Sequence, residues 1–277
     1  IYSSHGINVS DGANVEIRGN KLTVGQAGKT EALIYVAGTN VTVAGNTLDA
    51  RLGLKTPGTN TGVVGVIVTE GTNTTISGNN VLATKNGPAI YIAEGGVNAI
   101  VENNEITGVV DPVIVTDAGT YDIDNDDNPE GAAIYVEEIN AQVRGNRITG
   151  VEGADAHGVF LASDNVTVLN NTIKNVDDGV GILVYGVMNN TIQGNTLENI
   201  GQDGILLYTA TTTNRADNNT VKGNTLKKVA LRAEVDSDDT PAVGNYAAIR
   251  VQGDNNVLDG NIIEDVGGMV WPAWSCG

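Results

Sequence analysis

The sequence predicts an all-β fold: a parallel β-helix of about nine coils with loop insertions, forming a single domain over residues 1–277. Three observations predict it. Asparagines six residues apart recur nine times, from Asn14 and Asn20 to Asn255 and Asn261. Aliphatic residues hold two fixed places in every repeat, three after the first Asn and two after the second. The residue before the second Asn is always Gly or Asn, the types that tolerate positive φ and so mark a tight corner. Self-similarity at intervals of mostly 23 to 33 residues is the signature of a stacked solenoid.

Each coil opens on a strand visible in ALIYV, PAIYI, AAIYV, HGVFL, VGILV and DGILL. Period-two, β-branched patterning gives it two inward columns, Ile34, Val66, Ile90, Ile134, Val159, Ile182 and Ile205, then Val36, Val68, Ile92, Val136, Leu161, Val184 and Leu207. A second short strand carries Ile17, Val43, Ile76, Val101, Val143, Val168, Ile192, Val221 or Leu258 inward. The Gly-Asn corner follows, and a third strand places Leu22, Leu48, Val81, Ile106, Ile148, Ile173, Leu197, Leu226 or Ile263 against the core. Coils stacking about 4.8 Å apart turn like residues into ladders. Stacked asparagines can then satisfy their own amides, so the first Asn of each pair is expected to face inward.

These pieces, such as NNTIQGN at 189–195 and DGILL at 203–207, resemble the repeats of right-handed parallel β-helix proteins. The resemblance is to the pectate-lyase-like superfamily, and especially to NosD-like and archaeal or bacterial surface-protein members, and it runs over essentially the whole chain. It implies a right-handed coil. Lyases, hydrolases, epimerases, adhesins, tailspikes and surface-layer proteins share that fold, so the resemblance implies no single activity.

A formal charge of -18 and pI near 4.2 argue against nucleic acid and anionic membranes as partners. No apolar run reaches the roughly 18 residues that span a bilayer, so membrane insertion is not expected. The chain opens on Ile1 rather than Met, as expected of a processed chain or of a piece of a longer one. Cys276 is the single cysteine and cannot form an intramolecular bridge.

Departures from the repeat supply the candidate sites. Two acidic insertions, 117–130 and 233–245, contain the matching stretches DIDNDDNP and EVDSDDTP, four coils apart. Their Asp122, Asp124, Asp126, Asn128, Asp236 and Asp238 offer the oxygen-rich shell that suits Ca²⁺, although the Gly and Glu of an EF-hand loop are absent. Acid–base candidates are Asp177, Asp178, Asp203 and His157, with Asp178-Gly179 and Asp203-Gly204 expected at equivalent points, where His157-Gly158 also falls. A turn entering the strand explains the same pattern. Between the two inward columns of the first strand, Tyr35, Ile67, Tyr91, Tyr135, Phe160, Leu183 and Leu206 point outward over roughly 29 Å. Such a stripe calls for an insertion, a protein partner or a sugar chain lying over it, with a protein partner preferred. Trp271 and Trp274 near the end of the chain add aromatic anchors. Among the N-x-S/T sequons, Asn8 and Asn170 are expected to be the most accessible to glycosylation.

The expectation from these features is an extracellular or cell-surface structural protein, a subunit of a layer, sheath or filament that self-associates by end stacking and lateral contacts. A carbohydrate-active enzyme working on an extracellular polysaccharide (a lyase, hydrolase or epimerase) is the alternative, with Ca²⁺ as the one cofactor indicated.

Overall fold

The structure, a computed structural model, describes residues 5–54, 64–85, 87–110, 131–153, 156–231 and 246–267. The described residues form 27 strands in three nine-stranded parallel sheets, each taking one strand from every described coil in order. The first coil supplies His5–Val9, Glu16–Arg18 and Lys21–Thr23, and the last supplies Ile249–Val251, Val257–Asp259 and Ile262–Glu264. Most strands are three to five residues long because left-handed corners bound them.

The corner between the second and third strands is made by Gly19, Gly45, Gly78, Asn103, Gly145, Asn170, Gly194, Gly223 and Gly260, all at φ of 53 to 66°. The next residue turns inward at each corner. Asn46, Asn79, Asn104, Asn146, Asn171, Asn195 and Asn224 are therefore at most 1% exposed. Each accepts at Oδ1 from the backbone N and the Nδ2 of the Asn one coil earlier, and its own Nδ2 also reaches a backbone carbonyl, as Asn46 does to Ile17 at 3.0 Å. The first Asn of each pair behaves oppositely, which corrects the inward placement expected for it. Asn14, Asn40, Asn73, Asn98, Asn140, Asn165, Asn189, Asn218 and Asn255 themselves occupy the left-handed region at φ of 54 to 62° and are exposed. A residue held at positive φ on a convex corner aims its side chain at solvent, so the inner ladder belongs to the residue after the corner. The sequon residues Asn40, Asn73, Asn165, Asn189 and Asn218 consequently lie on the outside, as Asn8 and Asn170 do.

The two columns of the first strand pack inward with the second- and third-strand columns as one continuous core running along the axis. The third coil differs from the expected register by one residue. Ile67 pairs with Ile34 and Ile90 and is fully buried in the core, while Val68 stands beside Tyr35 and Tyr91. In the run Gly65-Val66-Ile67-Val68-Thr69 apolarity gives no phase. Thr69 ends up inside because its hydroxyl finds Thr74 Oγ1 at 3.0 Å and the Gly71 amide at 3.1 Å.

All three long gaps in the described chain, 55–63, 111–130 and 232–245, connect a third strand to the first strand of the next coil. The acidic residues Asp122, Asp124, Asp126, Asn128, Asp236 and Asp238 lie outside the described residues, as do Trp271 and Trp274.

Candidate functional site

The outer face of the first sheet carries most of the candidates. Its central column reads Asn8, Tyr35, Val68, Tyr91, Tyr135, Phe160, Leu183, Leu206 and Arg250. Ile67 is not part of it. The column does not form an open stripe: Tyr91, Tyr135, Leu183 and Leu206 are only 5 to 7% exposed within the single chain and so present no free face to a partner. They belong to two satellite cores, one with Ala32, Val68, Ala93 and Ala132, the other with Val180. The rings also cover one another: Tyr135 stacks on Phe160 with centroids 4.8 Å apart, and Tyr185 on Tyr208 at 5.3 Å. Aromatic pairs at these separations add attraction beyond their burial.

Polar ends of this layer are paired. The Tyr35 hydroxyl donates to Glu70 and the Tyr91 hydroxyl to Glu137, in each case reaching into the next coil. Burial first, and the acceptor carboxylate second, hold both phenols above their ordinary pKa, so neither is a ready base. His5 stacks on Tyr35 at 4.8 Å.

The acid–base candidates do not converge. His157 and Asp203 share one edge column, with Val180 between them, because Gly158, Gly181 and Gly204 are the equivalent glycines. Asp178-Gly179 lies two residues earlier than the matching point, a correction to the expected alignment. Gly179 is where the chain passes so close to the Ala156 carbonyl that a Cβ would lie 1.7 Å from its oxygen. His157 Nδ1 accepts the Val180 amide at 3.1 Å, which leaves Nε2 with the proton of the neutral ring. Burial pushes its pKa down to about 4. Asp203 is fully buried, accepts the Ala247 amide at 2.7 Å and pairs with the Arg250 guanidinium. Burial pushes its carboxyl above the usual range, against the pull of that amide and of Arg250. Arg250, which the sequence did not flag for this role, also approaches the Tyr246 ring at 5.9 Å. The arrangement is a structural ion pair closing the last described coil.

Asp177 stands elsewhere, on the rim of an open depression of about 360 Å³ on the third sheet. Glu152, Asn175, Asn199, Gly201 and Leu231 line it with Asp177. Asn199 Nδ2 donates to Asn175 Oδ1 at 2.9 Å, and both residues are in the left-handed region. Their column begins at Gly108 and Gly150 and continues through Lys228, unusually for its type, to Asp265. The Gly-Gly-Asn-Asn start of that column was the available sequence signal for the depression. The Asp178 carbonyl accepts Gln202 Nε2 at 2.8 Å. Among the described residues no group of three His, Cys, Asp or Glu side chains is placed to hold a metal, and no helix is long and apolar enough to cross a membrane.

Comparison with known proteins agrees with this architecture. The family described as "Right handed beta helix region" matches residues 62–263. No curated protein matches. Among solved structures, the chain is similar to the Dettilon tailspike protein (gp208) with a TM-score of 0.60 at 15% identity, over 94% of this chain and 49% of that one. The chain thus spans about half the length of the tailspike chain, and at this identity the likeness is one of fold. With its three ordered parallel sheets and a family match over most of its length, the chain belongs to the right-handed β-helix family.

Proposed function

We propose that the protein is a structural β-helix of an extracellular or virion surface, a rigid rod that self-associates through its coil ends rather than a catalyst. One observation carries the reading. In the last described coil Val257, Leu258, Ile262, Ile263 and Val266 are 46 to 55% exposed, although the equivalent positions of earlier coils that face inward are fully buried. Among the described residues nothing covers these three strand edges or the aliphatic ring, and such edges invite pairing. The repeated use of polar side chains within the chain supports a structural role, since the ladder Asn, the Tyr–Glu pairs and the Asp203–Arg250 pair all hold coil to coil. Lateral association through the central column of the first sheet is not part of the proposal, because Val68, Tyr91, Tyr135, Leu183 and Leu206 within it are buried. The test is multi-angle light scattering of the full chain over a wide concentration range. Growth of mass with concentration supports the reading, and a monodisperse monomer throughout overturns it.

A second reading, binding of a polysaccharide, is favoured by the depression of Glu152, Asn175, Asp177 and Asn199, where carboxylates and carboxamides suit sugar hydroxyls. Reducing-end release from extracellular polysaccharides, or binding without release, would distinguish an enzyme from a lectin-like surface.

A further inference from the structure

The outer corner column divides into two parts. In the first four described coils its asparagines bond along the edge: Asn40 Nδ2 donates to Asn14 Oδ1 at 3.2 Å, Asn73 to Asn40 at 3.1 Å and Asn98 to Asn73 at 3.1 Å. In the sixth to eighth, Asn165, Asn189 and Asn218 are exposed and their carboxamides make no hydrogen bond among the described residues. Each of these three also begins an Asn-x-Thr triplet, ending in Thr167, Thr191 or Thr220. The middle residue, Val166, Asn190 or Asn219, turns into the core and is at most 1% exposed. Alternation then sends the threonine outward at the start of the second strand, where Thr167 pairs with Thr191 and Thr191 with Thr220. Carboxamide and hydroxyl of one triplet thus stand on the same surface, at a convex corner whose Asn is held at φ of 57 to 61°.

We propose that Asn165, Asn189 and Asn218 form a column of N-glycan acceptors. The inference goes beyond the self-association reading above and does not rest on it, since a monomer would carry the same column. The co-reactant is a lipid-linked oligosaccharide presented by an enzyme that reads Asn-x-Thr. A bond forms between Nδ2 and the anomeric carbon of the first sugar, and the bond from that carbon to the donor's phosphate oxygen breaks. The phosphate leaves with the electron pair, and Nδ2 loses one proton. An Nδ2 with neither hydrogen engaged takes the sugar without giving up a bond. The inner ladder is untouched, because it runs through Asn171, Asn195 and Asn224 instead. Asn40 and Asn73 begin triplets of the same kind, with Thr42 and Thr75, but their Nδ2 atoms already hold the previous rung. Asn170 lies across the next corner, where a Cβ on Gly194 would collide with its Oδ1, and Asn8 Nδ2 is 3.4 Å from His5 Nδ1. These four are the poorer sites, which reverses the order expected from the sequence for Asn8 and Asn170. Spacing adds a second rule. Rungs are about 4.8 Å apart, less than the width of a sugar ring with its hydroxyls, so neighbours exclude one another and a chain carries Asn165 with Asn218, or Asn189 alone.

Glycopeptide mass spectrometry of the full-length chain from its natural source reads occupancy site by site. The folded, unmodified chain incubated with an Asn-x-Thr-specific oligosaccharyltransferase and a lipid-linked oligosaccharide reads the geometry alone. The expected result in both is occupancy at Asn165, Asn189 and Asn218 several-fold above that at Asn8, Asn40, Asn73 and Asn170, with no chain modified on two neighbouring rungs. Thr191→Val removes the hydroxyl read with Asn189 while keeping a β-branched residue in the strand, and circular dichroism checks that the variant is folded. It should abolish the glycan at Asn189 and raise occupancy at Asn165 and Asn218. A natural chain bare at all three positions overturns the proposal, whatever the isolated reaction gives. Occupancy of Asn40 and Asn73 equal to that of the three on the folded chain also overturns it, because the free carboxamide would then not select the site. Chains carrying glycans at both Asn189 and Asn218 overturn the exclusion of neighbours.

Discussion

Replacing Asn146 by Ala removes one rung of the inner ladder and should be among the most costly single substitutions in the protein. Asn146 Oδ1 accepts from the Asn104 backbone N and Nδ2, each at 3.0 Å, and its Nδ2 donates to the Val101 carbonyl at 2.9 Å and to Asn171 Oδ1 at 3.0 Å. Asn171 Oδ1 keeps the Asn146 backbone amide at 2.9 Å, but the Asn104 amide is left buried without its acceptor. A net hydrogen bond contributes about 1 kcal/mol and an orphaned buried group costs roughly 1–3 kcal/mol, so a loss of about 3–5 kcal/mol is expected. Asn140→Ala, at the exposed corner of the same coil, should cost only about 1 kcal/mol for forcing Ala to positive φ. Urea titration by circular dichroism, with the slope fitted as well as the midpoint, reads both, since a solenoid can lose cooperativity when one rung weakens. Equal losses for the two variants would refute the assignment of the inner ladder to the second Asn of each pair.

Three further outcomes follow from the structure. Leu183→Lys should lower stability by about 2 kcal/mol or more without touching assembly, because a charge would enter the apolar cluster of Val180 and Leu206; unchanged stability with altered assembly would mark an interface instead. His157 is held neutral, with its pKa lowered from 6.5 to about 4, so its contribution is complete above about pH 6.5 and is lost as pH falls through about 4. His157→Gln should therefore flatten the acid limb of the wild-type stability curve over that window, and parallel curves would show that His157 does not set it. If the acidic insertions hold Ca²⁺, chelation lowers the melting temperature and the effect shrinks in Asp124→Asn with Asp236→Asn; calorimetry showing no chelator effect removes the metal from the account.

The architecture was legible because a solenoid writes its geometry into the chain once per coil. Nine copies of each column fixed the strand order and the Gly-Asn corner, and the three sheets follow that order. Where the code is redundant, the phase was not. Gly65-Val66-Ile67-Val68-Thr69 alternates nothing, so its pattern leaves the phase of Ile67 open, and the observed inward phase goes with the Thr69 hydroxyl bonding Thr74 and the Gly71 amide. Two asparagines per coil were equally plausible for the ladder. The distinction lies in φ, and the Gly/Asn exchange in the corner column was the clue to which residue turns inward. Burial of the Tyr91 and Leu183 column was not legible, because outward-facing in a strand does not mean exposed once neighbouring rungs and flanking alanines close over it. The depression at Asn175 and Asn199 depends on a third left-handed column that passes through Lys228, a residue with no propensity signal for it.

The most direct test of the account is electron microscopy of the concentrated full-length protein, with the axial repeat measured from averaged images. Rods stacked through their coil ends predict unbranched filaments with an axial repeat of about 4.8 Å from the continuous rungs. Dispersed single particles, or assemblies with a different axial repeat, would contradict it.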